Sequence, residues 1–237
     1  MQQTVISTKS LTKEWNTGFK LGPVEIGMKQ GETLALLGKN GSGKTTLFQL
    51  ITGNLDPTIG EVIFLGERLL PDRYDLKRKI GYLPQHLSLP KWVTGKEIIA
   101  YGSRLYELQY SKEEIDELLS YWDCLDFINK PLAACSHGMQ KRIALTLATI
   151  HDPDLLILDE PFSGLDLFHI KALEDLIINR GKSNKVTIIC THIAIYAAKL
   201  CETAIVMNEG KLSHLEDWPQ SSLLERIDIM EKTFFNN

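Results

Sequence analysis

The sequence predicts an α/β fold in which a mostly parallel sheet is joined by an antiparallel β portion and by an inserted group of helices. A short apolar run, "TLALLG", leads directly into a glycine-rich loop and then into a helical pattern. Two further apolar runs, "DLLILDE" and "VTIICTH", are separated by the amphipathic stretch "LFHIKALEDLIINRG". This alternation of strand, helix and strand is typical of a parallel sheet.

The N-terminal part of the chain carries the first strands and the first helix of this fold. The segments "TVISTKSLTKEW" and "GPVEIGMKQGE" show short alternating apolar patterns broken by glycine and proline, which favour antiparallel strands. After "TLALLG", the residues Leu47, Leu50 and Ile51 recur at helical spacing, and Gly53 is a suitable residue to end that helix.

Residues from about 87 to 140 predict an inserted helical subdomain. In "SKEEIDELLSYW", Ser111 and Glu114 have the spacing of a capping box at a helix N-terminus. One apolar helix face follows, formed by Ile115, Leu118, Leu119 and Trp122.

The C-terminal part predicts a hairpin and a final amphipathic segment. "IVMNEGKLS" has the pattern of two short strands around a turn, and residues from about 215 to 237 form an amphipathic segment that we expect to pack on the body. We find no internal repeat, so we interpret residues 1–237 as one domain that contains the helical insertion.

Composition and charge exclude several classes of protein. The net charge of −4 offers no broad basic field for sequence-independent nucleic-acid binding, so we expect no direct nucleic-acid partner. The four cysteines have no CxxC spacing and predict free thiols in a reducing compartment. No secretory signal pattern and no window of about 18 apolar residues is found. We therefore expect a cytoplasmic protein that reaches the membrane only through a partner.

The strongest chemical signal is the segment from Gly38 to Thr45, "GKNGSGKT", which matches the P-loop pattern between a strand and a helix. Glycines allow successive N–H groups to point at phosphate oxygens, and the helix N-terminus favours the same anion. We expect Lys44 to reach the β- and γ-phosphates and the Thr45 hydroxyl to bind Mg²⁺. The fold class is therefore a P-loop NTPase, the alternative being a glycine-rich turn that binds nothing. The predicted nucleotide-binding residues here are Gly38, Lys39, Asn40, Gly41, Ser42, Gly43, Lys44, Thr45 and Thr46.

A second sequence pattern, two adjacent carboxylates after an apolar run, narrows the choice among P-loop NTPases to those that hydrolyse the nucleotide with a carboxylate. The apolar run Leu155–Leu158 ends in Asp159 and Glu160, so a buried strand delivers two carboxylates to the edge where ligands of parallel sheets bind. Asp159 is suited to the magnesium shell, and Glu160 to orienting or deprotonating the water that attacks the γ-phosphate. The alternative is an acidic helix N-terminus that follows a core strand.

With these motifs in place, the chain resembles the ATP-binding cassette (ABC) ATPases over nearly its whole length. "SGLD" (Ser163–Asp166) is similar to the family's D-loop, "CTH" places His192 as its switch histidine, and "GYLPQ" places Gln85 as its Q-loop glutamine, a magnesium sensor. The segment "ACSHGMQKR" lies where the family carries its signature motif, here Cys135–Met139. The resemblance implies that Ser136 and Gly138, with His137 and Asp166, contact an ATP held by a second subunit.

The signature motif departs from the family's commonest form, Leu-Ser-Gly-Gly-Gln. Cys135, His137 and Met139 occupy its first, third and fifth positions. A basic residue at the third position and Met at the fifth resemble the "S-K-G-M" variant of ABC-2-type export systems. The alternative for His137 is a basic residue that only faces solvent.

For three further residues, the resemblance implies a role at the nucleotide, but each residue also has an ordinary structural interpretation. Trp15 lies where the family places an aromatic that stacks on adenine, but it is also typical of an edge-strand tryptophan packed on the core. Gln85 is otherwise a polar strand end, and His192 a structural histidine.

The resemblance implies an ATPase subunit of a membrane transporter, with ATP and Mg²⁺ as ligands. Two subunits, most simply two copies of this chain, close head to tail around ATP. Glu160, His192, Gln85 and Lys44 carry hydrolysis, and separate transmembrane permease subunits receive the movement. The alternative is a soluble single-cassette ABC ATPase that acts in complex assembly or on a macromolecule. A long heptad insertion, which such ATPases carry when they act on chromosomes, is absent from the sequence.

Overall fold

The computed structural model describes residues 3–16 and 18–235 of the chain and arranges them around two β-sheets. The strands are β1 (Thr4–Glu14), β2 (Lys20–Val24), β3 (Gly27–Lys29), β4 (Thr33–Leu37), β5 (Ile59–Phe64), β6 (Glu67–Arg68), β7 (Ile80–Leu83), β8 (Leu155–Asp159), β9 (Val186–Cys190), β10 (Thr203–Asn208) and β11 (Lys211–His214). The helices are α1 (Lys44–Ile51), α2 (Tyr74–Lys77), α3 (Gly95–Leu105), α4 (Lys112–Tyr121), α5 (His137–Thr149), α6 (Leu167–Lys182), α7 (Ala194–Leu200) and α8 (Leu223–Phe235).

The larger sheet has the strand order β11-β10-β4-β9-β8-β7, and every pair except β10–β11 is parallel. Its central strands β4, β8 and β9 are buried along their whole length, as their apolar sequences predict. Alternate residues face opposite sides, so Leu156 and Leu158 lie in one core cluster while Leu155 and Ile157 lie in another. The predicted α/β fold with a parallel sheet is confirmed.

The smaller sheet is antiparallel and has the order β2-β1-β5-β6, with β3 also paired to β1. The antiparallel start of the chain is therefore confirmed. The segment "GPVEIGMKQGE" contains the end of β2 and all of β3. The two strands pair with different parts of β1, and between them the Ile26 carbonyl accepts a 2.8 Å hydrogen bond from the Thr8 N–H. The sequence analysis also missed the β5–β6 hairpin.

Helix α1 is buried between the two sheets. Its residues Leu47, Phe48, Leu50 and Ile51 share one core cluster with both sheets. The helix is followed by Thr52 as C-cap and by Gly53 with φ of 66°, as expected of a helix that a glycine terminates. Burial of these four side chains fixes α1 relative to β4, and therefore also fixes the loop that joins them.

Helices α3 and α4 lie within the predicted insertion, and α5 begins at its end and continues beyond residue 140. Capping boxes begin α3 and α4, the second formed by Ser111 and Glu114 as predicted. Helix α5 packs against α3, α4 and strand β7. Its residues Ile143 and Leu145 lie in the same core cluster as Leu156 of the sheet. The helical insertion thus shares a core with the parallel sheet, and its boundaries at 87 and 140 stay a prediction.

The C-terminal region contains the predicted hairpin, formed by β10 and β11. Helix α8 packs against α7, and Arg226 donates hydrogen bonds to the carbonyls of Ala198 and Cys201. Met230 is fully buried on the body-facing side of α8. Residues 236 and 237 of the predicted C-terminal segment lie outside the described residues.

The four cysteines, Cys124, Cys135, Cys190 and Cys201, are buried free thiols, as the sequence predicts. In the described parts of the chain, no helix combines the length and the apolar character that crossing a membrane requires.

The turn of the β10–β11 hairpin supports the P-loop directly, because the Gly210 N–H donates a 2.8 Å hydrogen bond to the Ser42 carbonyl. Gly210 has φ of 77°, and a Cβ there would lie 2.1 Å from the Lys20 carbonyl oxygen. Gly66 has φ of 84°, but a Cβ there would meet nothing within 4 Å. We expect Gly66→Ala to lower the free energy of unfolding by about 1–2 kcal/mol through backbone strain alone.

Gly210→Ala adds a steric clash to the same strain, so we expect it to lower the free energy of unfolding by about 2–4 kcal/mol. It should also weaken ATP binding, which Gly66→Ala leaves intact. Urea unfolding and nucleotide titration of both variants measure these effects. Equal losses in the two variants, with ATP affinity unchanged in both, would contradict this role of the hairpin.

Candidate functional site

The P-loop residues surround two neighbouring clefts at the carboxyl edge of the parallel sheet. The first cleft, of about 600 Å³, is lined by Phe19, Asn40, Gly41, Gly43, Lys44, Thr45, Thr46, Gln85, His86 and Asp159. The second, of about 390 Å³, is lined by Leu36, Gly38, Lys39, Asn40, Lys44, Gln85, Glu160, Cys190, Thr191 and His192. Asn40, Lys44 and Gln85 line both clefts. Residues predicted from motifs far apart in the sequence therefore meet at this edge.

The N-terminus of α1 opens onto the first cleft. Gly43 is the N-cap and supplies no side-chain hydrogen bond, and the first turn contains no acidic residue. The Lys44 ammonium group donates hydrogen bonds of 2.7 Å to the Gly38 carbonyl and 2.9 Å to the Lys39 carbonyl. A helix N-terminus with a lysine and no competing carboxylate in its first turn is an anion site.

Asp159 ends β8 at the floor of the first cleft. Its side chain is nearly inaccessible, with 4% of the residue exposed. Burial, and secondarily the charge of Glu160, raise the pKa of this carboxyl above its usual value. A bound cation would offset this cost. Because Thr45 and Gln85 line the same cleft and supply oxygen atoms, the three residues fit a hard cation such as Mg²⁺.

Glu160 lies between the P-loop and the end of β9. Its N–H donates a 2.8 Å hydrogen bond to the Cys190 carbonyl, and its backbone has φ of 49°. The carboxylate Oε2 lies 2.9 Å from Nδ1 of His192, whose side chain is 66% exposed. The predicted base and the predicted switch histidine are therefore neighbours at one wall of the second cleft.

Lys141, a buried lysine, hydrogen-bonds to the main chain of Glu160. The Lys141 ammonium group, from α5, donates a hydrogen bond to the main-chain carbonyl of Glu160, and only 1% of Lys141 is exposed. Burial lowers the pKa of Lys141, although the nearby charges of Glu160 and Asp159 oppose this shift. The helix that follows the signature motif thus contacts the carboxyl end of β8.

The signature motif and the D-loop form a separate pocket of about 210 Å³. Its lining consists of Ser136, Gly138, Met139, Arg142, Gly164, Leu165, Asp166 and His169. None of these residues lines either P-loop cleft. Of the predicted nucleotide-binding residues, Trp15, Ser42 and His137 line none of the three pockets, and the others fall into two groups that line different pockets.

Within this pocket, Ser136 and Asp166 act as N-caps. The Ser136 hydroxyl accepts a 3.2 Å hydrogen bond from the Met139 N–H at the start of α5. Asp166 accepts a 3.0 Å bond from the His169 N–H at the start of α6, which is the main reason why the pKa of Asp166 is lowered. The exposed His137 ring lies against Gly164 of the D-loop.

Trp15 lies beside the first cleft without lining it. It is partly buried against the core, and its ring centroid lies 5.8 Å from that of Phe19, which does line the cleft. Stacking of Trp15 on adenine stays a prediction, and Phe19 is a second aromatic candidate that the sequence analysis missed.

The sequence analysis also missed His86, Lys141, Arg142 and His169. A signal for Lys141 was present, because it shares one helix face with Ala144, Leu145 and Ala148, so a charged residue occupies a core position. His86 directly follows Gln85. Arg142 and His169 lie on helices that are distant in the sequence, and no local pattern indicates their contact.

Comparisons with known proteins agree with this arrangement. The sequence model of the family described as "ABC transporter" matches residues 21–163. The uncharacterised ABC transporter ATP-binding protein YxlF of Bacillus subtilis is 34% identical over 211 residues, which cover 88% of this chain and 70% of that protein. The bacitracin transport ATP-binding protein BcrA of Bacillus licheniformis is 32% identical over 224 residues, covering 94% of this chain and 72% of that protein.

A solved structure described as the ATP-binding subunit of an ABC transporter superposes with a TM-score of 0.84 at 26% identity. The superposition covers 97% of this chain and all of that one. The chain therefore shares the fold of an ATP-binding subunit over almost its whole length.

The buried carboxylate of Asp159 generates a prediction on stability. Asp159→Asn removes an unfavourably buried charge, so we expect it to raise the free energy of unfolding of the nucleotide-free protein by about 1 kcal/mol at neutral pH. This corresponds to a rise in Tm of about 2–4 °C. Because the pKa of Asp159 is raised in the folded protein, its carboxyl does not affect stability at a pH below the ordinary carboxyl pKa, where both the folded and the unfolded state are protonated. As pH rises from the ordinary pKa through the raised one, the carboxyl destabilises the folded protein increasingly. Melting curves at acidic and neutral pH test this. A difference in Tm that does not depend on pH, or a lower Tm at neutral pH, would contradict it.

The aromatic pair generates a prediction on nucleotide binding. We expect Trp15→Ala and Phe19→Ala each to weaken ATP binding about five- to tenfold through loss of stacking, and Trp15→Tyr to restore most of the affinity. Tyr74→Ala is a matched control, because Tyr74 is 68% exposed and lines neither cleft. Unchanged affinity in both alanine variants would place the adenine elsewhere.

Proposed function

The chain belongs to the ABC transporter family, and on this premise we propose that it is the ATP-hydrolysing subunit of a membrane transporter that closes head to tail with a second copy around ATP. The separation of its two groups of predicted nucleotide-binding residues is the observation that carries this proposal. The P-loop clefts and the signature pocket have no lining residue in common. A second subunit that presents its signature pocket to the P-loop would complete each site.

The charges and hydrogen-bond donors at the P-loop support binding of a triphosphate. The N-terminus of α1 and Lys44 attract phosphate oxygens, and Thr45, Gln85 and Asp159 would hold Mg²⁺. When bound, Mg²⁺ supplies charge neutralisation to the phosphates. The ammonium group of Lys44 exchanges its contacts with the loop carbonyls for phosphate oxygens.

Glu160 is the proposed general base. It accepts a proton from water as the water oxygen forms a bond to the γ-phosphorus, and the bond from the γ-phosphorus to the bridging oxygen breaks to release ADP. His192 lies 2.9 Å from the Glu160 carboxylate, so it can hold the base in place and reach the γ-phosphate. Lys141 fixes the main chain of Glu160 through a hydrogen bond to its carbonyl group.

The helical insertion offers a surface for the membrane-spanning partner. Trp92 is 82% exposed between Gln85 and α3, and Tyr101 on α3 is 64% exposed. A groove of about 520 Å³ with a mainly apolar lining lies between α3 and α4. Exposed aromatic residues next to such a groove are typical of a protein interface. We assign this surface to transmembrane permease subunits, with the Gln85 segment linking it to the ATP site.

The signature variant favours one direction of transport. His137 and Met139 resemble the form of ABC-2-type exporters, so we propose an export system. Co-purification from solubilised membranes separates this function from that of a soluble ABC ATPase. A multi-span partner supports transport, and a soluble complex supports the alternative.

We expect Glu160→Gln to lower the rate of ATP hydrolysis by at least about 100-fold, because the amide keeps the shape of the side chain but cannot accept a proton. ATP affinity should remain within about threefold of the parent. A dimer stabilised by ATP should accumulate, which size-exclusion chromatography with light scattering measures.

Glu174→Gln is the matched control for this variant. Glu174 is buried on α6 and pairs with Lys199, so its loss affects stability and leaves the hydrolysis rate within about threefold. Hydrolysis by Glu160→Gln at the rate of the parent would show that Glu160 is not the base.

A further inference from the structure

His169 connects the D-loop with α5, the helix of the signature motif. It lies in the first turn of α6 and is 5% exposed. Its Nδ1 lies 2.7 Å from Oδ1 of Asp166 in the D-loop, and its Nε2 lies 3.0 Å from Nη1 of Arg142 on α5. The imidazole therefore bridges a carboxylate of the D-loop and a guanidinium of the helix that follows the signature motif.

The chemistry of the two neighbours determines which ring nitrogen donates and which accepts. The guanidinium of Arg142 can only donate, so Nε2 accepts a hydrogen bond from it. The carboxylate of Asp166 accepts, so Nδ1 donates. The tautomer with its hydrogen on Nδ1 satisfies both neighbours.

Arg142 extends this connection to the helical insertion. Its Nη1 donates hydrogen bonds of 2.8 Å to the Asp123 carbonyl and 3.2 Å to the Trp122 carbonyl, at the C-terminus of α4. Its guanidinium also lies over the Phe127 ring, 4.7 Å from the centroid. A cation is well placed at a helix C-terminus, where carbonyl groups lack helical partners. Three elements are thus joined by polar contacts through the buried His169 ring and Arg142: the D-loop, α5 and α4.

The same contacts determine the shape of the signature pocket. His169 and Arg142 line it, between Ser136 and Gly138 on one side and Asp166 on the other. At the rim the two loops also touch, because a Cβ on Gly138 would lie 2.7 Å from the Gly164 carbonyl oxygen. The link through His169 therefore constrains the separation of the D-loop and the signature motif.

We propose that His169 is a positioning residue that holds the D-loop and the signature motif at one separation, and that passes movement of the D-loop through Arg142 to the end of α4. This inference rests on the proposed function, because its consequence is the closure of two subunits around ATP. The two loops form one preorganised surface for the phosphates of the facing subunit. Loss of the link leaves ATP bound at the chain's own P-loop but weakens closure.

The test uses the full chain in a Glu160→Gln background, with ATP and Mg²⁺, and measures the dimer dissociation constant by light scattering. His169→Phe keeps a ring but removes both nitrogens, so we expect the dimer to weaken about tenfold or more. His169→Gln keeps one donor and one acceptor in a side chain of similar length, and we expect an affinity within about threefold of the parent. If melting curves show that the phenylalanine variant does not fold, His169→Leu replaces it.

His151→Leu is the matched control. His151 is partly buried; its Nε2 lies 3.3 Å from the Ile80 carbonyl oxygen, and its ring stacks on Tyr106 at 3.7 Å, away from the signature pocket. We expect this variant to lower Tm and to leave the dimer constant within about threefold. We also measure the affinity of each monomeric variant for ATP by titration, at concentrations where no dimer forms. This shows whether the P-loop cleft of that variant still binds ATP.

The outcomes separate this inference from the function on which it rests. If the Glu160→Gln parent does not dimerise with ATP, the proposed closure is wrong, and so is a role of His169 in it. If the parent dimerises and the phenylalanine and glutamine variants weaken the dimer equally, or neither does, His169 is only a structural residue. Weakening by phenylalanine and rescue by glutamine, with the His151 control unchanged, supports the proposal.

Discussion

The register of three parallel strands is the constraint on which the proposed site depends. Leu36 of β4 and Asp159 of β8 are both paired with Cys190 of β9, so the three strands end in one row. The loops that follow therefore begin side by side and carry the P-loop, Glu160 and His192. Burial of α1 between two sheets then fixes the direction of its N-terminus relative to this row. A shift of one residue in either pairing would move these groups apart by about 3.3 Å and turn their side chains to opposite faces.

The packing of α5 explains why the signature motif does not line the P-loop clefts of its own chain. Helix α5 packs on the face of the sheet opposite to α1 and contacts the main chain of Glu160 through Lys141, while its N-terminus lines a different pocket. One helix thus connects the signature motif to the carboxyl edge of the sheet. Such an arrangement favours the proposed second subunit as the source of further phosphate contacts.

Much of this site could be predicted from the sequence, because its main parts are local motifs. The P-loop, Asp159 and Glu160 each follow a buried strand directly, so periodicity and glycine spacing locate them without knowledge of the fold. Phe19, Arg142 and His169 could not be found in this way. Their roles depend on contacts such as that between Arg142 and His169, which are 27 residues apart on different helices. The same limit applies to "GPVEIGMKQGE", whose division into β2 and β3 depends on pairing with β1.

Complementation between two inactive variants tests the head-to-tail arrangement most directly. In a Glu160→Gln background, one subunit carries Lys44→Ala and the other Ser136→Asp, which keeps an N-cap for α5 but repels phosphate. In a head-to-tail dimer, a mixture of the two contains one composite site with neither substitution. We predict that each variant alone stays monomeric with ATP, and that the mixture dimerises with one ATP bound per dimer. A mixture that stays monomeric, while the unsubstituted Glu160→Gln chain dimerises, would contradict the arrangement.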